Sequence, residues 1–143
     1  MSRKLAREAA FKVTFETFFQ KDEKVEKLAK MLLVNEESEK DEMTPEDDKY
    51  INEITSGVVE KKEELDSQIR KHLKEGWTME RLSKVDISIL RLAIYEILYR
   101  DDIPYKVSAN EAVELAKTFS EDASPAFING ILAEIINEIN EGK

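Results

Sequence analysis

The chain has 143 residues and no cysteine, so it is the size of one domain or two small halves, and disulfides, thiolate metal sites and cysteine nucleophiles are excluded together. Lys and Arg number 22 against 31 Asp and Glu, and the formal net charge of −9, taken alone, argues against a nucleic-acid partner. Hydrophobic residues make up 41% and are spread along the chain, which excludes wholesale disorder, and no stretch approaches the roughly 20 apolar residues of a membrane span.

Four Gly and three Pro in a chain rich in Leu, Ile, Ala, Glu and Lys favour helix over strand. Ser2 caps a first helix in which Leu5, Ala9 and Val13 recur at helical spacing, with Phe11, Phe15, Phe18 and Phe19 widening the apolar stripe. Its start carries Arg3, Lys4, Arg7 and Lys12 against Glu8, or +3, and is either a solvated helix start or a cationic surface. Charge at this end also opposes a secretory leader, and a soluble cytoplasmic protein is expected. Asp22 caps a second, shorter helix with Val25, Leu28, Ala29, Leu32 and Leu33 on one face. From Asn35 to Asp48 eight acids meet the single cation Lys40, so this solvated loop holds −7 of the −9 and leaves −2 for everything else.

Thr44-Pro45-Glu46-Asp47 starts a third helix, with Thr as cap, Pro at the first helical position and acids complementing the helix dipole. Ile51, Ile54, Val58 and Val59 form its face. Leu65, Ile69, His72 and Leu73 give a fourth pattern closing at Gly76, and periodicity alone does not separate it from the third. Thr78 then caps a segment that is apolar around most of its circumference from Val85 to Tyr99, which places it in the middle of the fold. Pro104 ends it, and Pro104-Tyr105-Lys106-Val107 reads as an extended loop. Ser108-Ala109-Asn110-Glu111 reads as a capping box opening a short helix with Ala112, Leu115, Ala116 and Phe119. Ser124-Pro125 starts the last helix, whose stripe is Phe127, Ile128, Ile131, Leu132, Ile135, Ile136 and Ile139. The expected fold is all-α, about seven helices in two small packed bundles. They form one domain over 1–143, with an N-terminal sub-bundle over about 1–75, a C-terminal sub-bundle over about 76–143 and an acidic loop over about 35–48.

Catalytic equipment is sparse. His72 is the single histidine and lies at helical spacing from Leu65 and Ile69, so it reads as a boundary packing residue and not a base. No HExxH, phosphate-loop or GxGxxG pattern occurs, and four glycines do not assemble a phosphate cradle. The expectation is a protein that is not an enzyme and carries no metal or cofactor. Trp77 follows Gly76 and reads as a turn anchor. Two segments resist a purely structural account: the Pro104-to-Val107 loop, and Phe127-Ile128-Asn129-Gly130, where Asn and Gly both cost helix stability. The gain there is either tight helix packing or a polar surface for a ligand.

At these residues the chain resembles the bacterial transcription antitermination factor NusB family. The likeness lies in Trp77, Glu80, Arg81 and Leu82, in Ile89-Leu90-Arg91-Leu92-Ala93-Ile94-Tyr95-Glu96-Ile97, in Asp102-Ile103-Pro104-Tyr105-Lys106-Val107, in Asn110 to Lys117, and in Phe127-Ile128-Asn129-Gly130-Ile131-Leu132. The blocks stand in the family's order, and a weaker match through Arg7-Glu8 extends the likeness over nearly the whole chain. The resemblance implies a fold of two small helical bundles. It also implies binding to the boxA element of ribosomal RNA leader transcripts together with NusE, a small-subunit ribosomal protein. In that setting the partners include RNA polymerase and other Nus factors, and the polymerase reads through terminators.

Carried over, the family's basic RNA motif falls on Arg3, Lys4 and Arg7, with Leu5 interrupting the run. Tyr105, Lys106, Phe127 and Asn129 are the further RNA-facing residues implied, and Ala123 stands where family members often carry an acid. The NusE-facing positions implied are Phe15, where Tyr is common, with Glu80 and Asp86. Cations that track phosphates and side chains that stack on splayed bases are what a single-stranded RNA element requires. An alternative is a helical interaction module related to the N-terminal domain of ribosomal RNA cytosine methyltransferases, without catalytic activity, since the catalysis would need a further cofactor-binding domain after Lys143. A homodimer that hides the basic arm is as consistent with the sequence as a monomer.

Overall fold

Thr44 opens a helix because its hydroxyl and the Asp47 carboxylate satisfy each other's amides. Asp47 N donates to Thr44 Oγ1 at 3.1 Å and Thr44 N donates to Asp47 Oδ2 at 3.0 Å, a reciprocal cap that removes two orphan donors. This computed structural model describes residues 3–19 and 44–142. The Ser2 cap, the helix expected from Asp22 through Leu33 and residues 35–43 of the acidic segment lie outside the described residues. Within them are six α-helices, one short 3₁₀ turn and no strand: α1 (Arg3–Glu16), α2 (Pro45–Glu60), α3 (Lys62–Lys71), α4 (Lys84–Tyr99), α5 (Tyr105–Phe119) and α6 (Ser124–Glu141). The acidic segment is thus not a loop to its end, since Glu46, Asp47 and Asp48 form the first turn of α2, where the helix dipole favours them.

The chain divides into two compact units, Met1–Glu60 and Lys61–Lys143. In the first, α1 packs on α2 through Ala6, Ala9, Ala10, Phe11 and Val13 against Tyr50, Ile51, Ile54 and Val58, all buried. Val59, expected on that face, is exposed instead, because one residue beyond Val58 turns about 100° around the helix. The division falls near residue 60 and not near 75 because α3 belongs to the second unit. There Leu65 and Ile69 are fully buried, and Asp66 receives a bidentate pair from Arg91 of α4 at 2.7 and 2.8 Å.

In the second unit α4 is central, packing against α3, α5 and α6, as its all-round apolar surface requires. Three ionisable side chains are nevertheless buried on it, and each reaches a different neighbour. Arg91 pairs with α3, Glu96 accepts from Ser108 of α5 at 2.8 Å, and Asp86 accepts from Ser120 and Ser124 at the junction of α5 and α6. A buried charge must find such partners, so these ties set the register of an otherwise uniform hydrophobic helix.

The same demand corrects two expected helix starts. Ser108 does not cap: it is spent on Glu96, and α5 begins earlier, at Tyr105, so the expected Pro104-to-Val107 loop is a helix start. Pro104 sits at the cap position with φ −59°, where its missing N–H costs nothing. Likewise α4 is capped by Ser83, whose hydroxyl accepts from Asp86 N at 3.0 Å, while Thr78 precedes only the turn Met79–Arg81. His72, at the end of α3, packs against α6 with its side chain 7% exposed. Its Nδ1 lies 3.0 Å from Glu134 Oε2, and Nε2 lies 3.3 Å from Glu138 Oε1 without hydrogen-bond alignment.

Candidate functional site

The residues singled out in the sequence fall on both units, and each group has its own geometry. In the first unit Arg3 and Lys4 are exposed on the opening turn of α1. The Arg3 guanidinium lies 4.3 Å from the centre of the Tyr50 ring, which orders the cation without burying it. Arg7 is different: it is 4% exposed, 6.0 Å over the same ring, and faces the interior of the α1–α2 pair. Arg3 and Lys4 are therefore the cations of this group that face solvent, and Arg7 supports the aromatic floor beneath them. Phe15 is half-buried between Phe11 and Phe19, with ring centroids 6.2 and 5.3 Å away, and Phe19 is 59% exposed.

In the second unit a hollow of about 300 Å³ lies beside the start of α6, lined by Trp77, Arg81, Ser83, Asp86, Ala123 and Phe127 among others. The Trp77 and Phe127 rings meet with centroids 6.3 Å apart and a 36° tilt. Arg81 lies 5.3 Å over the Trp77 ring and is held there by a 2.9 Å bond from Nη1 to the Gly76 carbonyl. Gly76 takes φ +90°, the left-handed region that glycine enters without strain, and this turn presents the indole. Asp86 is only 8% exposed, and its carboxylate accepts from Ser124 at 2.9 Å and from Ser120. It is a floor group that fixes the α5–α6 junction, and Ala123 at that junction adds no charge to the rim.

Glu80 is fully exposed on the short turn before α4, and its own backbone amide, then the Thr78 hydroxyl, hold its carboxyl below the usual value, so it is an anion at neutral pH. Tyr105, half-buried, and Lys106, exposed, open α5 and do not line the hollow. Asn129 and Gly130 are exposed on α6. A Cβ built on Gly130 meets nothing within 4 Å, so close helix packing does not explain that glycine, and a solvent-facing polar strip remains. Trp77, read from the sequence as a turn anchor, sits on the Gly76 turn and is exposed there, and a turn carries no periodicity from which that exposure can be read. Among the described residues no group of three or more metal-ligating side chains occurs, and no helix is long and apolar enough to cross a membrane.

The model of the NusB family matches residues 4–137. The chain belongs to the NusB family. A relative from Natranaerobius thermophilus, described as transcription antitermination protein NusB, is 45% identical over 143 residues, covering all of both chains. Among solved structures, T. maritima NusB matches with a TM-score of 0.84 at 35% identity, over 96% of this chain and 92% of that one. A structure of the antitermination factors NusB and NusE in complex with dsRNA matches with a TM-score of 0.80 at 27% identity, over 95% and 96%.

For this NusB-family chain the exposed glycine yields a direct prediction. Gly130→Ala should raise stability by about 0.5–1 kcal/mol, because Ala lowers the entropy lost on helix formation and has room for its methyl. Urea unfolding measures it, and a lower midpoint for the variant contradicts the open geometry at this position.

Proposed function

We propose that this chain is an RNA-binding transcription antitermination factor that recognises the boxA element of ribosomal RNA leader transcripts together with NusE and helps RNA polymerase read through terminators. The observation that carries the reading is the pairing of solvent-facing cations with exposed aromatic surface on a chain of this family. Arg3 and Lys4 face solvent at the start of α1, Lys106 opens α5, and the exposed Trp77 ring meets Phe127 in the lining of the hollow. Single-stranded RNA is held by that combination of phosphate-tracking cations and base-stacking rings.

The overall charge of −9 fits this role once it is divided. Few cations neutralise few phosphates, so RNA affinity alone is modest and salt-sensitive. A basic ribosomal partner supplies phosphate contacts of its own and is attracted to acids such as Glu80, with Phe15 as an apolar contact and Asp86 holding the hollow's floor. The protein acts by binding, in the cytoplasm, with no chemical step.

The test is binding of labelled boxA RNA and a scrambled control, each with and without NusE. The expected result is weak binding by the chain alone and tight, boxA-selective binding in the ternary mixture. Equal affinity for both RNAs in the presence of the partner overturns the specific reading.

A further inference from the structure

Trp77 is the chain's single tryptophan, and 48% of its surface is open to solvent. A tryptophan that only anchors a turn buries its large apolar ring, because burial is where its stabilisation lies. Here the ring is instead presented by the Gly76 turn, flanked by Phe127 and accompanied by a guanidinium tethered to the backbone. With centroids 6.3 Å apart the Trp77 and Phe127 rings touch each other, so no third ring enters between them, and a planar ligand lies against the exposed indole within the hollow.

Charge selects the class of that ligand. Arg81 already occupies the cation position over the indole, so an incoming Lys or Arg side chain of a protein partner finds its best site filled by a like charge. The Asp86 carboxylate is engaged by two hydroxyls and Glu121 also lines the hollow, so the place for a phosphate is beside the tethered Arg81 and not within the hollow. A flat, neutral heterocycle on an anionic backbone satisfies both the aromatic surface and the tethered cation.

We propose that Trp77, flanked by Arg81 and Phe127, is a stacking platform for one unpaired nucleobase of a bound RNA strand. The proposal rests on the RNA-binding reading above and adds to it a named surface and a named contact. It also accounts for Arg81, whose guanidinium lies where the phosphate next to a stacked base passes.

Because Trp77 is the only tryptophan, its emission reports on this site alone. The full chain is titrated at low salt with a 5′-labelled single-stranded boxA oligonucleotide, reading label anisotropy and tryptophan emission in parallel. Both signals are expected to move with one midpoint, and one abasic substitution in the RNA should restore the emission while most of the anisotropy change remains. Trp77→Ala should weaken binding about tenfold, the scale of one base stacked on an aromatic ring, while Trp77→Phe keeps affinity within about twofold. Should the Ala variant fail to fold, the Phe variant and the abasic series decide the matter. Anisotropy that rises with unchanged tryptophan emission overturns the platform and leaves RNA binding standing. Quenching by NusE alone that no RNA alters makes the hollow a protein-docking site and also overturns it. No anisotropy change at all removes the RNA-binding reading and the platform with it.

Discussion

Asp66→Ala should destabilise the Lys61–Lys143 unit by about 3–5 kcal/mol, the usual cost of removing one partner from a buried ion pair. Asp66 and Arg91 are 4% and 6% exposed, and the carboxylate takes two parallel bonds of 2.7 and 2.8 Å, so the substitution strips a nearly dry guanidinium of its bidentate partner. Against a typical total stability of about 5–15 kcal/mol, that loss brings the unit close to unfolding. Urea unfolding followed by Trp77 emission and by helical circular dichroism measures it in the same unit. The pair itself is not a net source of stability: Asp66→Leu combined with Arg91→Met should recover most of the loss, since apolar residues of similar volume escape the desolvation penalty. A loss below about 1 kcal/mol for Asp66→Ala would show that Arg91 reaches water or another acid at little cost.

That pair also illustrates what was legible in the sequence. Buried faces were, because a 3.6-residue period is visible without knowing the partner: Ile51, Ile54, Leu65, Ile69, Ile128 and Leu132 are all buried where their spacing places them. The central position of α4 followed from its apolar circumference. The helix starts at Ser108 and Thr78 were not legible, because a serine that caps and a serine that satisfies a buried carboxylate look alike until the acid, here Glu96, is seen beside it. The boundary between units was hidden for the same reason, since the contacts that draw α3 to the second unit, such as Asp66–Arg91 and His72–Glu134, join residues 25 and 62 apart in sequence.

At the candidate site, composition misled in one direction and position in another. Arg3, Lys4 and Arg7 form one basic cluster when counted, yet Arg7 follows the buried Ala6 and stands three residues before Ala10 and seven before Thr14, on the inward side of α1. The spacing held that information, and the charge count obscured it. Trp77 offered no such clue, because its exposure comes from the φ of Gly76 and the tether on Arg81, and neither leaves a periodic trace.

Arg3→Glu together with Lys4→Glu should lower RNA affinity by about tenfold to a hundredfold near physiological salt, and leave binding to NusE unchanged. Two phosphate contacts are lost and two repulsions gained, and each contact to a single strand contributes about 0.7 to the slope of log affinity against log salt. The slope should therefore flatten by about 1.4, a signature that a misfolded variant does not produce. Both side chains are exposed, and the Arg3 ring contact with Tyr50 is worth roughly 0.5–1 kcal/mol at such a site, so the α1–α2 pair keeps its packing. Arg7 is the internal control: at 4% exposure its replacement by Ala should cost stability first, with the RNA salt slope of the folded fraction preserved. An unchanged slope for the double variant, or a flattened slope for Arg7→Ala in fully folded protein, would reverse the division of labour between the rim of this patch and its floor.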